Sequence, residues 1–119
     1  MKHLTIKETV RLHRILWGYL AKTGSNSKGK AFDDCEELKG LKPCDNCFAC
    51  EQNIQSKEKT CAKCIFDWRP GVEGNKAECS DYGGPFFFWR HADNVEEYKK
   101  YAAIVRDLPL KKQYQRYLK

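Results

Sequence analysis

The chain has 119 residues, 41% of them hydrophobic and 32% charged, with a net charge of +6. These values exclude a membrane-like or compositionally disordered protein and leave room for one domain near the lower end of domain sizes. The start, Met1 to Glu8, has no uninterrupted apolar stretch of the kind a signal peptide needs, and no apolar run approaches a membrane span. The expected location is therefore cytoplasmic, with no membrane partner.

Thr5-Ile6-Lys7-Glu8 has the form of a capping box, in which a hydroxyl and a carboxylate satisfy free amides at a helix start. Ile6, Val10, His13, Trp17 and Leu20 then recur at three- and four-residue spacing, widened by Leu12, Leu16 and Tyr19. The pattern predicts an amphipathic N-terminal helix within residues 1–24, running to about Lys22 and closed by Gly24. Gly18 inside it costs about 1 kcal/mol against Ala, which suggests a close approach by another segment. His13 falls on the apolar side and reads as a core or boundary residue.

Thr23 to Lys30 is loop-like by composition. A short helix or turn is expected between Ala31 and Leu41, before Pro43. Residues 44–80 show no sustained periodicity and are expected to be irregular chain wrapped on a metal, with a helical turn from Cys64 to Trp68. Chain of this length stays compact only with a staple. After Gly83-Gly84-Pro85, the run Phe86-Phe87-Phe88-Trp89 suits a short buried strand. Asp93, with Glu96 three residues on, caps a second helix over 93–108, carrying Val95, Tyr98, Ala102 and Val105 on one face. The basic tail, 110–119, shows a third, shorter helical pattern. The fold expected is small α+β, mostly helical, with two long helices around a short aromatic strand and a loop region stapled by zinc on four cysteines.

Five of the seven cysteines lie in two blocks, Cys44-Asp45-Asn46-Cys47-Phe48-Ala49-Cys50 and Cys61-Ala62-Lys63-Cys64. A Cys-x-x-Cys lets two thiolates converge on one ion, and a second pair completes a tetrahedral all-sulfur site of the kind zinc prefers. Cys47, Cys50, Cys61 and Cys64 give two matched arms and are the expected metal ligands. Cys44 with Cys47 would serve equally as the first arm, and Cys79 could replace any single ligand. Cys35 reads as a free thiol. An odd cysteine count and a cytosolic setting argue against a disulfide framework. The Cys44, Cys47, Cys50 run allows an iron–sulfur cluster, but no fourth Cys followed by Pro comes soon after it. Each arm should turn backbone amides toward its sulfurs, and nearby lysines (Lys42, Lys57, Lys59, Lys63) would offset the thiolate charge.

No catalytic set accompanies the cysteines, and the protein is not expected to be an enzyme. An all-thiolate site leaves no position for a reactive water. The histidines stand at positions 3, 13 and 91, so no zinc-deaminase arrangement can form. No glycine-rich phosphate loop occurs.

Charge is unevenly placed. Residues 1–30 carry +6, residues 31–64 and 65–95 carry −2 each, and residues 96–119 carry +4. Basic ends flank an acidic middle, an arrangement suited to nucleic acid or to an acidic protein surface.

Leu12-His13-Arg14-Ile15-Leu16-Trp17-Gly18-Tyr19-Leu20, Cys47-Phe48-Ala49-Cys50-Glu51, Cys61-Ala62-Lys63-Cys64-Ile65-Phe66-Asp67-Trp68 with Cys79, and Trp89 before the last long helix resemble a family of small cysteine-rich zinc-binding proteins from phages and prophages of Gram-positive bacteria. Relatives often carry Pro where Ile65 stands, and Cys35 and Cys44 are additions to the pattern. The resemblance extends to anti-CRISPR proteins. It implies a non-enzymatic inhibitor that binds a host protein, the RNA-guided nuclease of a type II system, and obstructs target-DNA loading. Lys7, Arg11 and Arg14 on the first helix, or Lys111, Lys112 and Arg116 in the tail, are the candidate partner contacts. The rival expectation is a nucleic-acid-binding zinc module acting as a phage regulator.

Overall fold

The computed structural model describes residues 3–55, 64–72 and 77–118. Five α-helices follow one another among these residues: α1 (Ile6–Thr23), α2 (Lys28–Asp34), α3 (Phe48–Gln55), α4 (Pro85–Arg90) and α5 (Val95–Arg106). Tighter 3-10 turns at Glu36–Leu38 and Cys44–Asn46 link α2 to α3, and Lys112–Leu118 forms a longer 3-10 segment at the C-terminal end.

α1 starts where the capping pattern places it. Thr5 is extended, and its Oγ1 accepts the Glu8 N–H at 3.1 Å. The Glu8 carboxylate takes the Arg11 guanidinium, at 2.7 and 3.0 Å. Val10, Leu12, His13, Leu16, Trp17 and Leu20 form the buried stripe. The stripe packs most extensively against α5, where Ala102 and Val105 are fully buried. Burial of side chains the size of Leu16, Leu20 and Val105 contributes roughly 1.5–3 kcal/mol each.

The close approach expected at Gly18 occurs at Gly24 instead. A Cβ on Gly18 would meet only the Arg106 side chain, at 3.7 Å. Gly24 caps α1 in the left-handed region, with φ at 72°, and donates its N–H to Leu20 O. A Cβ there would stand 2.5 Å from Val95 Cγ1 and 3.1 Å from the Val95 carbonyl. Only glycine allows the end of α1 to touch the start of α5.

The α+β expectation is wrong. Among the described residues there is no strand, only an isolated antiparallel bridge between Phe66 and Leu110. The aromatic run is the helix α4, with Gly84 as its N-cap and Pro85 in its first turn, where the missing N–H costs nothing. Its contacts follow helical spacing. Phe86 and Trp89, three apart, both pack on Trp17, at 5.9 and 4.9 Å between ring centroids. Phe87 and His91, four apart, stack at 4.2 Å. No neighbouring strand is present among the described residues to take up the backbone groups a strand would leave unpaired, and a helix satisfies its own.

Other boundaries move for local reasons. Asn94, not Asp93, caps α5: its Oδ1 accepts the Glu97 N–H at 2.9 Å, while Glu97 reaches back to the Asp93 N–H at 3.0 Å. The described part of residues 44–80 holds a helix that was not expected, α3, whose Phe48 and Ala49 are buried on the side that meets α1. α2 begins at Lys28, inside the segment read as loop. The expected helical turn after Cys64 is absent; the chain there is non-helical and tied to the tail by Asp67 N–H to Pro109 O at 2.9 Å and Lys111 N–H to Ile65 O at 2.8 Å. Buried side chains from Leu4 to Leu110 form one continuous core.

Candidate metal centre

Two consecutive left-handed residues, Asp45 and Asn46, with φ at 55° and 52°, turn the chain into α3 and set Cys47 at its mouth. Asp and Asn tolerate this conformation better than other side chains. The Cys47 N–H closes the turn on Cys44 O at 3.0 Å, and Cys47 O accepts the Glu51 N–H at 3.0 Å.

Backbone amides point at the Cys47 sulfur as the motif predicts. The Cys50 N–H donates to Cys47 Sγ at 3.4 Å. The Cys50 thiol also donates to Cys47, and this bond above all holds Cys47 below the usual thiol range against burial, aided by the Cys50 and Ala49 amides and the Lys28 ammonium. The same bond pushes the Cys50 thiol up, with burial and the nearby sulfurs of Cys47, Cys79 and Cys64 adding to it.

Cys64 is buried, and burial raises its thiol. Opposing this, Trp68 Nε1 donates to Cys64 Sγ at 3.5 Å, the Phe66 N–H bonds the sulfur, and the Lys111 ammonium lies within electrostatic reach. Cys47 just before α3, Cys64 in the chain that follows the undescribed stretch, and Cys79 before α4 thus all lie within electrostatic reach of Cys50 on α3. Cys47, Cys50 and Cys79 line a cleft of about 610 Å³, whose opposite wall is Trp17, Phe86 and Trp89. Lys28 sits over the Phe86 ring at 5.0 Å, with Arg90 over the same ring at 5.7 Å.

Of the four expected ligands, Cys47 and Cys50 adjoin, the Cys50 N–H donating to Cys47 Sγ, and Cys64 lies within electrostatic reach of both, while Cys61 lies outside the described residues. No group of three or more His, Cys, Asp or Glu side chains among the described residues is already arranged to hold a metal ion. The donor chemistry suits a thiophilic divalent ion: sulfurs with N–H donors and ammonium groups around them. Lys28 and Trp68 were not singled out from the sequence as partners of the sulfurs. Lys28 is remote along the chain and gave no signal; Trp68 stands four residues after Cys64, a spacing that could have found it.

Cys44 and Cys35 have different surroundings. Cys44 is pushed up by burial and by Asp45 and Glu51, and Cys35 by burial and by Glu37 and Asp34. Both face acids that disfavour a thiolate.

His13 is fully committed to the core. It stacks on Phe66 at 4.0 Å, and its Nε2 bonds Val105 O at 2.8 Å. Burial pushes its pKa down to about 4.

The basic candidates divide between two sites. Lys7, Arg11 and Arg14 line an open groove of about 680 Å³ along α1, closed at one side by Leu118 of the tail. Arg116 is exposed in the same 3-10 segment, its guanidinium over Tyr117 at 5.0 Å, and Lys112 is also exposed. Lys111 lies within electrostatic reach of Cys64. Among the described residues no helix is long and apolar enough to cross a membrane.

Searches of family models, curated proteins and solved structures return no match to the chain.

Proposed function

We propose that this chain is a non-enzymatic, phage-encoded zinc-binding inhibitor that binds a type II RNA-guided nuclease in the host cytosol and obstructs its target-DNA loading. The observation that supports a protein-binding role is the groove along α1, where Lys7, Arg11 and Arg14 stand beside Leu118. Its lining combines these three basic side chains and Glu8 with the apolar Val10, Ile15 and Leu118, a mixture that suits an acidic protein surface with a hydrophobic anchor. The choice of partner rests on the resemblance of the cysteine blocks and the first helix. Zinc rests on the spacing of the two Cys-x-x-Cys pairs, Cys47 with Cys50 and Cys61 with Cys64, and its role would be to staple the fold. Catalysis is not part of the reading, because an all-thiolate site has no open position for a reactive water, and His13 is held in the core by Val105 O and Phe66.

The test is a titration of the protein into labelled target DNA, alone and with guide-loaded type II nuclease. Loss of the nuclease–DNA complex with no shift of free DNA is the expected result. An undisturbed nuclease–DNA complex overturns the reading. A second reading, a nucleic-acid-binding regulator, is favoured by Arg116 stacked on Tyr117 in the basic tail. It requires a shift of free DNA that weakens steeply with salt.

A further inference from the structure

We infer that the cleft between the turn into α3 and the aromatic helix α4 binds a nucleoside phosphate, a planar ring carrying an anionic head. The inference is independent of the groove along α1 and of any metal. At about 610 Å³ the cleft has the size of a small-molecule site, and four of its lining side chains are aromatic: Trp17, Trp68, Phe86 and Trp89. The three indoles are buried, while Phe86 is half-buried and keeps part of its ring accessible. An inorganic ion would leave most of this volume empty. A flat organic body fills it.

The anionic head follows from three donors in the lining that have no anionic partner. Lys28 Nζ stands over the Phe86 ring at 5.0 Å, and its hydrogen bond goes to a neutral group, the Asp45 carbonyl, at 3.1 Å. The Arg90 guanidinium stands over the same ring at 5.7 Å and has no hydrogen bond or ion pair among the described residues. Trp68 Nε1 donates to Cys64 Sγ, but Trp89 Nε1 is buried with no acceptor, which is rare for a polar group in a folded protein. Among the described residues Asp45 is the one carboxylate in the lining, and it comes from the turn into α3 rather than from α4. Two cations on one ring suit a phosphate, which accepts several charge-assisted bonds and matches a guanidinium two-to-two. The aromatic lining suits the base, because every base has a face that can stack. The cation–π contacts place both cations before the ligand arrives, which lowers the cost of binding.

The experiment titrates the full chain by calorimetry with AMP, adenosine, inorganic phosphate and a short 5′-phosphorylated DNA strand. AMP should bind one to one, at least about tenfold more tightly than adenosine or phosphate alone. Lys28→Gln and Arg90→Gln should each weaken AMP at least about tenfold. Arg90 is exposed, so its variant should keep the wild-type melting temperature and separate lost binding from lost folding. Lys30→Gln, exposed and outside the lining, should bind AMP as wild type does. A strand that binds more tightly than AMP identifies a strand end as the source of the nucleotide, and the reverse order identifies the free nucleotide. Adenosine or phosphate binding as tightly as AMP overturns the proposal, as does AMP affinity unchanged in both Lys28→Gln and Arg90→Gln. So does a wild-type chain that binds neither AMP nor the strand.

Discussion

His13 Nε2 lies 2.8 Å from the carbonyl oxygen of Val105, joining α1 to α5 through a bond buried between them. The ring is neutral there, since burial pushes its pKa from 6.5 to about 4. The unfolded chain binds a proton at His13 near pH 6.5 and the folded chain does not until about pH 4. Stability from this site is therefore full above pH 6.5 and declines as the pH falls through that window, by about 3 kcal/mol in all. Denaturant titrations at pH 7.5, 5.5 and 4 should show this loss. Comparison with His13→Gln isolates it, because acid release of a thiolate-bound metal is common to both proteins.

Gly24 and Gly18 should respond to alanine in opposite directions. Gly24→Ala forces a left-handed φ and a clash with Val95, and should cost at least about 1–3 kcal/mol. Gly18→Ala meets only the Arg106 side chain and should raise stability by up to about 1 kcal/mol. Thermal melts of the two variants check both signs.

At the start of α5 the cap belongs to Asn94. Asn94→Ala should cost about 1 kcal/mol, whereas Asp93→Ala should stay within about 0.5 kcal/mol of wild type. Equal losses would mean that the cap is shared between the two positions.

Chelation should destabilise the protein if the sulfurs hold a metal. Free metal at 100 times its dissociation constant adds about 2.7 kcal/mol to the folded state, and removal forfeits it. Tryptophan fluorescence is the informative readout, because Trp17 and Trp89 pack at the α1–α4 contact and Trp68 donates to Cys64. A change in emission before global unfolding is the expected sign that α4 loosens first.

Charge reversal separates the two basic groups. Lys7→Glu with Arg14→Glu alters the groove along α1 and should abolish inhibition of nuclease–DNA binding in the titration above, with little change in melting temperature. Lys112→Glu should have a smaller effect, since that side chain is not among those lining the groove. Arg11 is the poorer choice for reversal because Glu8 already pairs with it at 2.7 Å.

Much of the helical frame was legible in the sequence. The caps and apolar spacing marked α1 to within a residue, and the pattern of Val95, Tyr98, Ala102 and Val105 marked α5. Both signals are local, carried by side chains one turn apart on the same helix. Phe86 to Trp89 misled because a short aromatic run reads equally as strand or helix by periodicity. The choice fell to Trp17, whose face accepts residues three apart. The first Cys-x-x-Cys pair likewise turned an amide toward Cys47, since that geometry needs only a few adjacent residues.

What the sequence determined by itself was whatever a single turn of backbone can encode: where α1 begins, which faces α1 and α5 bury, and that the Cys50 amide turns toward Cys47. Only the tertiary structure decided which distant groups meet. It set Val95 against Gly24, Lys28 against the Asp45 carbonyl, and Trp17 against Trp89. These contacts depend on how the helices dock, and docking is decided by the summed packing of the whole core rather than by spacing along the chain.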